Sequence, residues 1–414
     1  MGPIATSIRQ CRLCGSKDLV QVISLGNQHV SDFVTAEGDS PRSPLELVRC
    51  KQCSLVQLRH TFPRDSLYRH YWYRSGISST MRKALEDIVV KGCEIVLPKR
   101  GDIVIDIGAN DGTLLRSYKI SGLRLVGFEP AKNLVEDARK GTTFVFNDFF
   151  GYDTFQREFP GEKAKLITSI AMFYDLDDPH AFVEDIVKCL DDTGIWIVQQ
   201  NYLGSMLQQN GFDNIGHEHL TYYSLATMSK LLDNHDLEVF HVEENDVNGG
   251  SFRTYIARKG QFLIRDSVQK MRETEKKLLS TTPSIFSTFA KNVETIRSQL
   301  SDFVSKQSEN GKKVYVYGAS TRGNTILQYC NLDHRLIKKA TDANPEKWGR
   351  RTPGTLIPIV SKEDARRDKP DFFLVLPHHF LNEIVRDEKK YLESGGKLIV
   401  PLPKFRLVES SNKK

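Results

Sequence analysis

Four of the seven cysteines stand in two Cys-x-x-Cys pairs, Cys11/Cys14 in CRLC and Cys50/Cys53 in CKQC, with 35 residues between the pairs. Two such knuckles supply four thiolates in tetrahedral disposition, and Zn²⁺ is the usual ion of a Cys₄ set. Gly15 follows the first knuckle and permits the tight turn that aims both sulfurs inward. Four protein ligands leave no open position, so the metal is expected to be structural. Free thiols and an iron–sulfur centre are the competing readings. Two matched pairs disfavour the first, and a reducing compartment disfavours disulfides. Cys93, Cys189 and Cys330 stand singly and are expected as small buried apolar residues.

A second set of reactive residues lies in IVIDIGANDGTLL. Asp106 ends an apolar strand, and Gly108 and Gly112 let the backbone bend closely around a ligand. A dinucleotide site prefers GxGxxG, whereas this turn reads DxGxNDG, with Asn110 and Asp111 at its centre. It resembles motif I of class I S-adenosylmethionine-dependent methyltransferases. That resemblance implies that the Asp106 side meets the cationic amino-acid part of the cofactor, where a pyrophosphate would be repelled. Glu129 closes the next strand 23 residues on, where an acid accepts the two ribose hydroxyls. The resemblance also implies that Asp148, in FVFNDFF, takes the adenine amine with Phe149 beside the ring. An unliganded turn with acidic caps is the alternative, and three acids in order after successive strands weigh against it.

FDNIGHEHLTYYS holds His217, Glu218 and His219 in alternation. On a strand the two histidines share a face; on a helix they diverge. The spacing is not HExxH, so a zinc-protease reading has no geometric basis. The box follows the QQNYL strand end, at the sheet edge where α/β folds bind ligands. There a histidine is the natural base near neutral pH, and Glu218 can orient or polarise a neighbour. Further on, GASTRGNT after VYVY places Gly318, Ser320, Arg322 and Asn324 at a strand-to-helix turn. Asn324 stands where a P-loop needs Lys, which disfavours triphosphate hydrolysis. A helix N-terminus beside an Arg still suits a diphosphate, and a purely structural Gly turn is the even alternative. Arg350 and Arg351 follow in GRRTPGT, as phosphate contacts or as a solvated loop.

The elements that must hold these residues fall into three zones. Residues 1–80 carry the cysteine pairs and many turn residues, and form a zinc-binding module. Residues 81–265 alternate helices and strands, which predicts a doubly wound parallel sheet; here DPHAFVEDIVKCL is a helix capped by Asp178 with Pro179 in its first turn. Residues 266–414 form a helical connector followed by a second α/β unit. In the connector Ile285, Phe289, Val293, Ile296, Leu300 and Phe303 recur at three- and four-residue steps, predicting one buried stripe. The fold class is therefore α/β, with a Rossmann-like domain between a small zinc module and a C-terminal Rossmann-like domain.

The 414 residues carry 58 Lys plus Arg against 52 Asp plus Glu, a net charge of +6 that is mild for this length. With 39% hydrophobic and 27% charged residues, a wholly disordered, collagenous or disulfide-dense chain is excluded. No apolar run approaches a membrane span and MGPIATSIRQ lacks a secretory core, so a cytoplasmic protein without membrane contact is expected. Dispersed basic residues argue against nucleic acid.

Taken together these motifs make the chain similar to the nucleotide-sugar C-methyltransferase family. The similarity covers nearly the full length and rests on the CxxC pairs, YWYRSGIS at 71–78, DIGANDGTLL, the HEH box, DVNGGSFR at 246–253, VYGASTRGNT at 316–325 and NPEKWGRRTPGTLIP at 344–358. It implies S-adenosylmethionine and structural Zn²⁺ as cofactors and a nucleotide-diphosphate sugar as substrate, with its nucleotide end on the C-terminal domain at Ser320, Arg322 and Asn324. It makes His219 the base that abstracts a proton beside a 4-keto group and Glu218 its acidic neighbour. Tyr73, Asn201 and Tyr222 are the candidate orienters or donors around the sugar. Three positions depart from the family's sugar enzymes: Gly216 stands where they carry Tyr, Asp175 where they carry His, and QQNYL where they carry an EVPYL-like strand end. A sugar oxygen or RNA as acceptor, and a non-catalytic binding protein, are the competing readings. Intact motif I acids and His219 speak against the last.

Overall fold

A computed structural model describes residues 5–30, 32–35, 40–281 and 284–410. Its centre is a seven-stranded sheet of β1 (Ile103–Ile107), β2 (Arg124–Phe128), β3 (Phe144–Phe146), β4 (Ala164–Ile170), β5 (Leu190–Asn201), β6 (Leu237–Asn245) and β7 (Ser251–Arg258). The strand order is β3-β2-β1-β4-β5-β7-β6, and all neighbours are parallel except β7, antiparallel to both β5 and β6. All five residues of β1 are buried, as an unbroken apolar run covered on both faces requires. One covering helix, Ser79–Val96, starts where the Ser78 hydroxyl accepts the Met81 N–H and buries Met81, Leu85, Ile88 and Val89 along one stripe. Another, Pro179–Cys189, begins as expected, with the Asp178 carboxylate accepting the Ala181 N–H. The chain reverses direction across the sheet between β1 and β4, so their carboxyl ends open a crevice.

A six-stranded sheet repeats this arrangement at the C-terminus, in the order Ile359–Val360, Ala340–Thr341, Val314–Tyr317, Phe372–Val375, Lys397–Val400, Arg406–Val408. Only the last strand is antiparallel. The N-terminal sheet is antiparallel and holds Leu19–His29, Arg42–Cys50 and Val56–Leu58. Its fourth strand, Thr221–Tyr222, comes from the middle of the chain and pairs with Val56 and Gln57.

The connector is two helices, Asp266–Leu279 and Ser284–Glu309. The stripe is present but rotated slightly from the expected one. Phe286, Phe289, Val293, Ile296, Leu300 and Val304 are the buried positions, while Ile285 and Phe303 are only partly covered. This stripe packs into one apolar core with Ile23 and Leu47 of the N-terminal sheet, Phe212 and Leu220 of the central chain, and Val314 and Leu327 of the C-terminal unit. A helix wedged among three units must match a curved surface, which shifts the face by one residue at each end. Among the described residues no helix is long and apolar enough to cross a membrane. Because Phe289 is 1% exposed in this shared core, Phe289→Ala is expected to lower unfolding free energy by about 3–5 kcal/mol in urea titration; a loss below about 1 kcal/mol would show that the helix is not part of the core.

Candidate functional site

The four paired cysteines converge. Cys11 Sγ lies 3.5 Å from Cys53 Sγ and Cys14 Sγ 3.6 Å from Cys50 Sγ, and all four sulfurs lie within 4.8 Å of one another. Zn–S bonds of about 2.3 Å put tetrahedral sulfurs about 3.8 Å apart, so the set fits Zn²⁺. The Gln57 side-chain amide and the Leu13 N–H both donate to Cys11 Sγ, at 3.2 and 3.4 Å. Arg12, between the first two cysteines, donates to Asp177 Oδ1 at 3.0 Å and to the Leu58 carbonyl at 2.7 Å. The knuckle is thereby bolted to the turn that leaves β4.

A cavity of about 1120 Å³ runs from the carboxyl ends of β1 and β4 to the C-terminal sheet. A single small-molecule site occupies about 300–1,000 Å³, so there is room for a donor and an acceptor together. Asp106, Gly108, Asn110, Glu129, Asp148 and Phe149 line one end. Gly112 holds the turn behind them with φ 77°, and a Cβ there would stand 2.9 Å from the Ala138 backbone. Burial pushes Asp106 up to about 7; its carboxyl accepts from the Thr168 hydroxyl at 2.7 Å, with no basic group paired to it among the described residues. A carboxyl in that position favours a cationic ligand group, which would restore its charge. Glu129, also pushed up to about 7 by burial, accepts the N–H groups of Ala131 and Asn110, each at 2.7 Å. Those two bonds orient the carboxylate and leave lone pairs for a diol. The acceptor chemistry of this wall fits S-adenosylmethionine.

Asp111 behaves differently from expectation. It does not line the cavity: its carboxylate accepts the Gly76 N–H at 2.7 Å and the Thr113 hydroxyl at 2.6 Å. Asn110 does line it, yet its amide also clips the same segment, accepting from Ser75 N at 2.9 Å and donating to the Tyr73 carbonyl at 3.0 Å. Residues 71–76 are thus a strap over the turn, with Tyr73 facing the cavity. Asp148 is paired with Arg69 at 3.2 Å, and the guanidinium groups of Arg64 and Arg69 lie 4.3 and 4.7 Å from the Phe149 ring.

The HEH box is a tight turn, not a strand, closed by His219 N–H donating to the Gly216 carbonyl at 3.0 Å. Its histidines therefore diverge. His217 Nε2 donates to the Ser43 carbonyl of the N-terminal sheet at 3.0 Å, while His219 and Glu218 line the cavity. His219 Nδ1 lies 2.6 Å from the Asn214 carbonyl. A carbonyl only accepts, so Nδ1 carries the hydrogen and Nε2 keeps its lone pair. Desolvation pushes this imidazole down to about 4, so it is neutral at neutral pH. Tyr222 is not on the cavity; from behind, its hydroxyl donates to the same Asn214 carbonyl at 3.1 Å. Asn201 lines the cavity and donates to Asn214 Oδ1 at 2.6 Å. Glu218, pushed up to about 7 by burial, accepts from the Tyr71 hydroxyl at 3.3 Å. Tyr71 also lines the cavity and is absent from the expected set, although its alternation with Tyr73 in YWYRSGIS is a signal for it.

At the far end Ser320 and Arg322 line the cavity and Asn324 does not. Asn324 is fully buried, and both of its amide atoms lack a hydrogen-bond partner. Ser320 caps its helix by accepting the Gly323 N–H at 3.0 Å. A Cβ at Gly323 would stand 2.5 Å from Leu376, so that glycine serves close helix–strand packing. Arg322 is engaged within the protein, donating to Asp213 Oδ2 and to the Asn248 carbonyl, each at 2.6 Å. Asp213, Lys362 and His379 also face this region; they lie in unremarkable local sequence and only the fold assembles them.

Three family models match: "Putative zinc binding domain" over residues 11–68, "Methyltransferase domain" over 77–242 and "C-methyltransferase C-terminal domain" over 246–403, the last including the central-sheet strand β7. The protein is an S-adenosylmethionine-dependent methyltransferase, a class I Rossmann-like domain flanked by a zinc-binding module and a second α/β domain. Along its whole length it is 31% identical, over 427 aligned positions, to the C-methyltransferase NovU of Streptomyces niveus, all of which is covered as well. The chain belongs to this C-methyltransferase family. Among solved structures it is similar to an S-adenosylmethionine-dependent methyltransferase from Clostridium acetobutylicum (13% identity, 43% of this chain and 92% of that one, TM-score 0.35). Magnesium protoporphyrin IX methyltransferase from Synechocystis is comparable (11% identity, 43% and 79%, TM-score 0.33).

Elemental analysis of freshly purified protein is expected to give one Zn²⁺ per chain, and less than half-occupancy in folded protein would contradict the Cys₄ site. Cys50→Ser should lower the melting temperature while leaving donor affinity of the remaining folded protein intact, because metal binding here is coupled to folding and not to chemistry.

Proposed function

We propose that the protein C-methylates a keto-deoxysugar nucleotide at the carbon α to the ketone, through an enolate generated by His219. The observation that carries this reading is the 2.6 Å hydrogen bond from His219 Nδ1 to the Asn214 carbonyl, with the ring on a cavity shared with the donor wall. A carbon beside a ketone becomes nucleophilic only after losing a proton, so such a transfer needs a neutral base and oxygen is the easier acceptor without one. His219 is neutral in the free protein, and the charge that develops on the enolate stabilises its imidazolium as the proton arrives. Bound S-adenosylmethionine supplies an electrophilic methyl group on a sulfonium.

In this reading Asp106, Gly108, Asn110 and Glu129 hold the donor, with Asp148 and Phe149 at its adenine. Arg69 has to leave Asp148 for that, an inexpensive step for a half-exposed ion pair. The nucleotide-diphosphate end of the substrate lies toward Ser320, with Lys362 nearby, while Arg322 holds the wall through Asp213. Tyr73 and Asn201 border the sugar. Residues 1–80, 81–265 and 266–414 serve as metal, donor and nucleotide units of a cytoplasmic enzyme.

Glu129→Ala removes the acceptor for the ribose hydroxyls, so calorimetric affinity for S-adenosylhomocysteine should fall by about 1–3 kcal/mol. Unchanged affinity would contradict the donor assignment. For the base, His219→Asn should keep that affinity yet lower turnover by roughly 10²–10⁴-fold. The same variant should lose exchange of the sugar's α-proton with deuterated water. Exchange at the wild-type rate would place the base elsewhere.

A further inference from the structure

The carboxyl of Asp175 is unexplained by the donor wall or the base. It lies in the Phe173–Asp175 turn that follows β4, and it lines the cavity. Its Oδ1 is enclosed and has no hydrogen-bond partner. The turn is rigidly placed. Thr221 donates its hydroxyl to the Tyr174 carbonyl at 3.1 Å, and the Tyr174 ring meets the His219 ring edge-on with centroids 4.5 Å apart. Asp175 therefore sits one residue from a ring in contact with the base.

Its charge state follows from its neighbours. Glu218, from the HEH turn, is close enough to oppose its ionisation; Tyr68 and Tyr71 of the N-terminal segment, Tyr174 beside it and Tyr222 are the other titratable groups that interact with it. Both residues are partly covered and line the same cavity, and two interacting carboxyls there disfavour double ionisation. Glu218 accepts a hydrogen bond from Tyr71, which favours its anion. Asp175 Oδ1 accepts none, and the one hydrogen of the nearby Tyr68 hydroxyl goes to the Glu218 carbonyl at 2.9 Å; burial together with Glu218 pushes the Asp175 carboxyl well above the usual range, against a smaller opposing effect of Tyr68. The proton of the pair belongs on Asp175.

We infer that Asp175, as a neutral carboxylic acid, is a further catalytic residue: it donates a hydrogen bond to the ketone oxygen of the acceptor while His219 removes the α-proton. This rests on the enolate reading above. The C–H electron pair moves into the new carbon–carbon double bond, the carbonyl π pair moves onto oxygen, and the proton goes to His219 Nε2. As the enolate carbon takes the methyl group the ketone re-forms, the sulfonium pair returns to sulfur, and His219 releases its proton to solvent. Asp175 keeps its own proton throughout. Its hydrogen bond is strongest when charge is on oxygen, which is what lowers the barrier.

The test uses the full-length zinc-loaded protein with a thymidine-diphosphate 4-keto-6-deoxyhexose in deuterated water, without methyl donor. Wild type is expected to exchange the α-proton, and Asp175→Leu to exchange it roughly 10²–10³-fold more slowly, the range for losing one oxyanion donor. Affinity for S-adenosylhomocysteine should be unchanged in both. Asp175→Asn, isosteric and still a donor, should recover part of the rate. Wild-type exchange should fall as pH rises through the ionisation of Asp175, and the Asn variant should lose that alkaline limb. In the infrared difference spectrum of wild type minus Asp175→Asn at neutral pH, a protonated-carboxyl band reads the same proton without turnover. Wild-type exchange rates in Asp175→Leu, or no such band, would overturn this inference and leave the enolate reading standing. No exchange in wild type while His219 remains neutral would remove both.

Discussion

Two residues of strand, Thr221 and Tyr222, pair with Val56 and Gln57, and the Leu58 N–H donates to the Leu220 carbonyl at 2.9 Å. His219 is the next residue back along the chain. Val56–Leu58 is in turn held against Arg42–Cys50, and the second metal knuckle, Cys50 to Cys53, forms the turn between those two strands. The Cys50 N–H donating to the Leu55 carbonyl closes that turn. A metal site with no open position thus governs where the candidate base stands. The antiparallel ladder transmits position because a slip of one residue would exchange the two faces of the strand. Arg12 adds a second tether, from the first knuckle to Asp177, two residues beyond Asp175.

Burial does the rest of the chemical tuning. Asp106, Glu129 and Glu218 are all pushed up by desolvation and His219 is pushed down, whereas Arg322, against burial, holds Asp213 below the usual carboxylate range. Such a wall is poised for ligands that bring charge with them. In the proposed reaction a cationic donor would restore charge to Asp106, and an anionic oxygen developing beside His219 would raise that imidazole toward the range where a base works well. Low dielectric strengthens each of these interactions and penalises any that is left incomplete.

The cavity exists because three units share one apolar core and are then pinned by a few polar bonds across it. Arg322 reaches from the C-terminal helix to Asp213, which is almost fully buried, and to the Asn248 carbonyl. Arg74 of the strap bridges Asp137 of the central domain and Glu346 of the C-terminal one, at 2.7 and 2.9 Å. Thr325 donates to the Ile215 carbonyl at 3.0 Å, next to the HEH turn. Removing one partner of a buried pair such as Arg322–Asp213 strands the other in low dielectric. These contacts therefore link the central and C-terminal sheets around the cavity.

Local chemistry was legible in the chain itself. Paired cysteines announce a tetrahedral thiolate site because two residues at i and i+3 of a turn converge on one point. DxGxNDG after an apolar strand announces a ligand turn because only glycine and acidic strand ends in that order allow close backbone approach and a cationic guest. Asp178 and Pro179 mark a helix start for equally local reasons. What the tertiary structure decided was partnership across distance. Ser43 turns His217 away from the cavity, and Asn214 selects the tautomer of His219. Asp111 serves the strap, Tyr222 serves Asn214, and Asn324 is buried in packing. Tyr71, Asp213 and Asp175 acquire meaning only from Glu218, Arg322 and the enclosed space around them. Periodicity and spacing specify the conformation of a segment, whereas the direction and charge of a buried side chain depend on which groups the fold brings against it, from 5 residues away (Asn214 on His219) to 174 (Ser43 on His217).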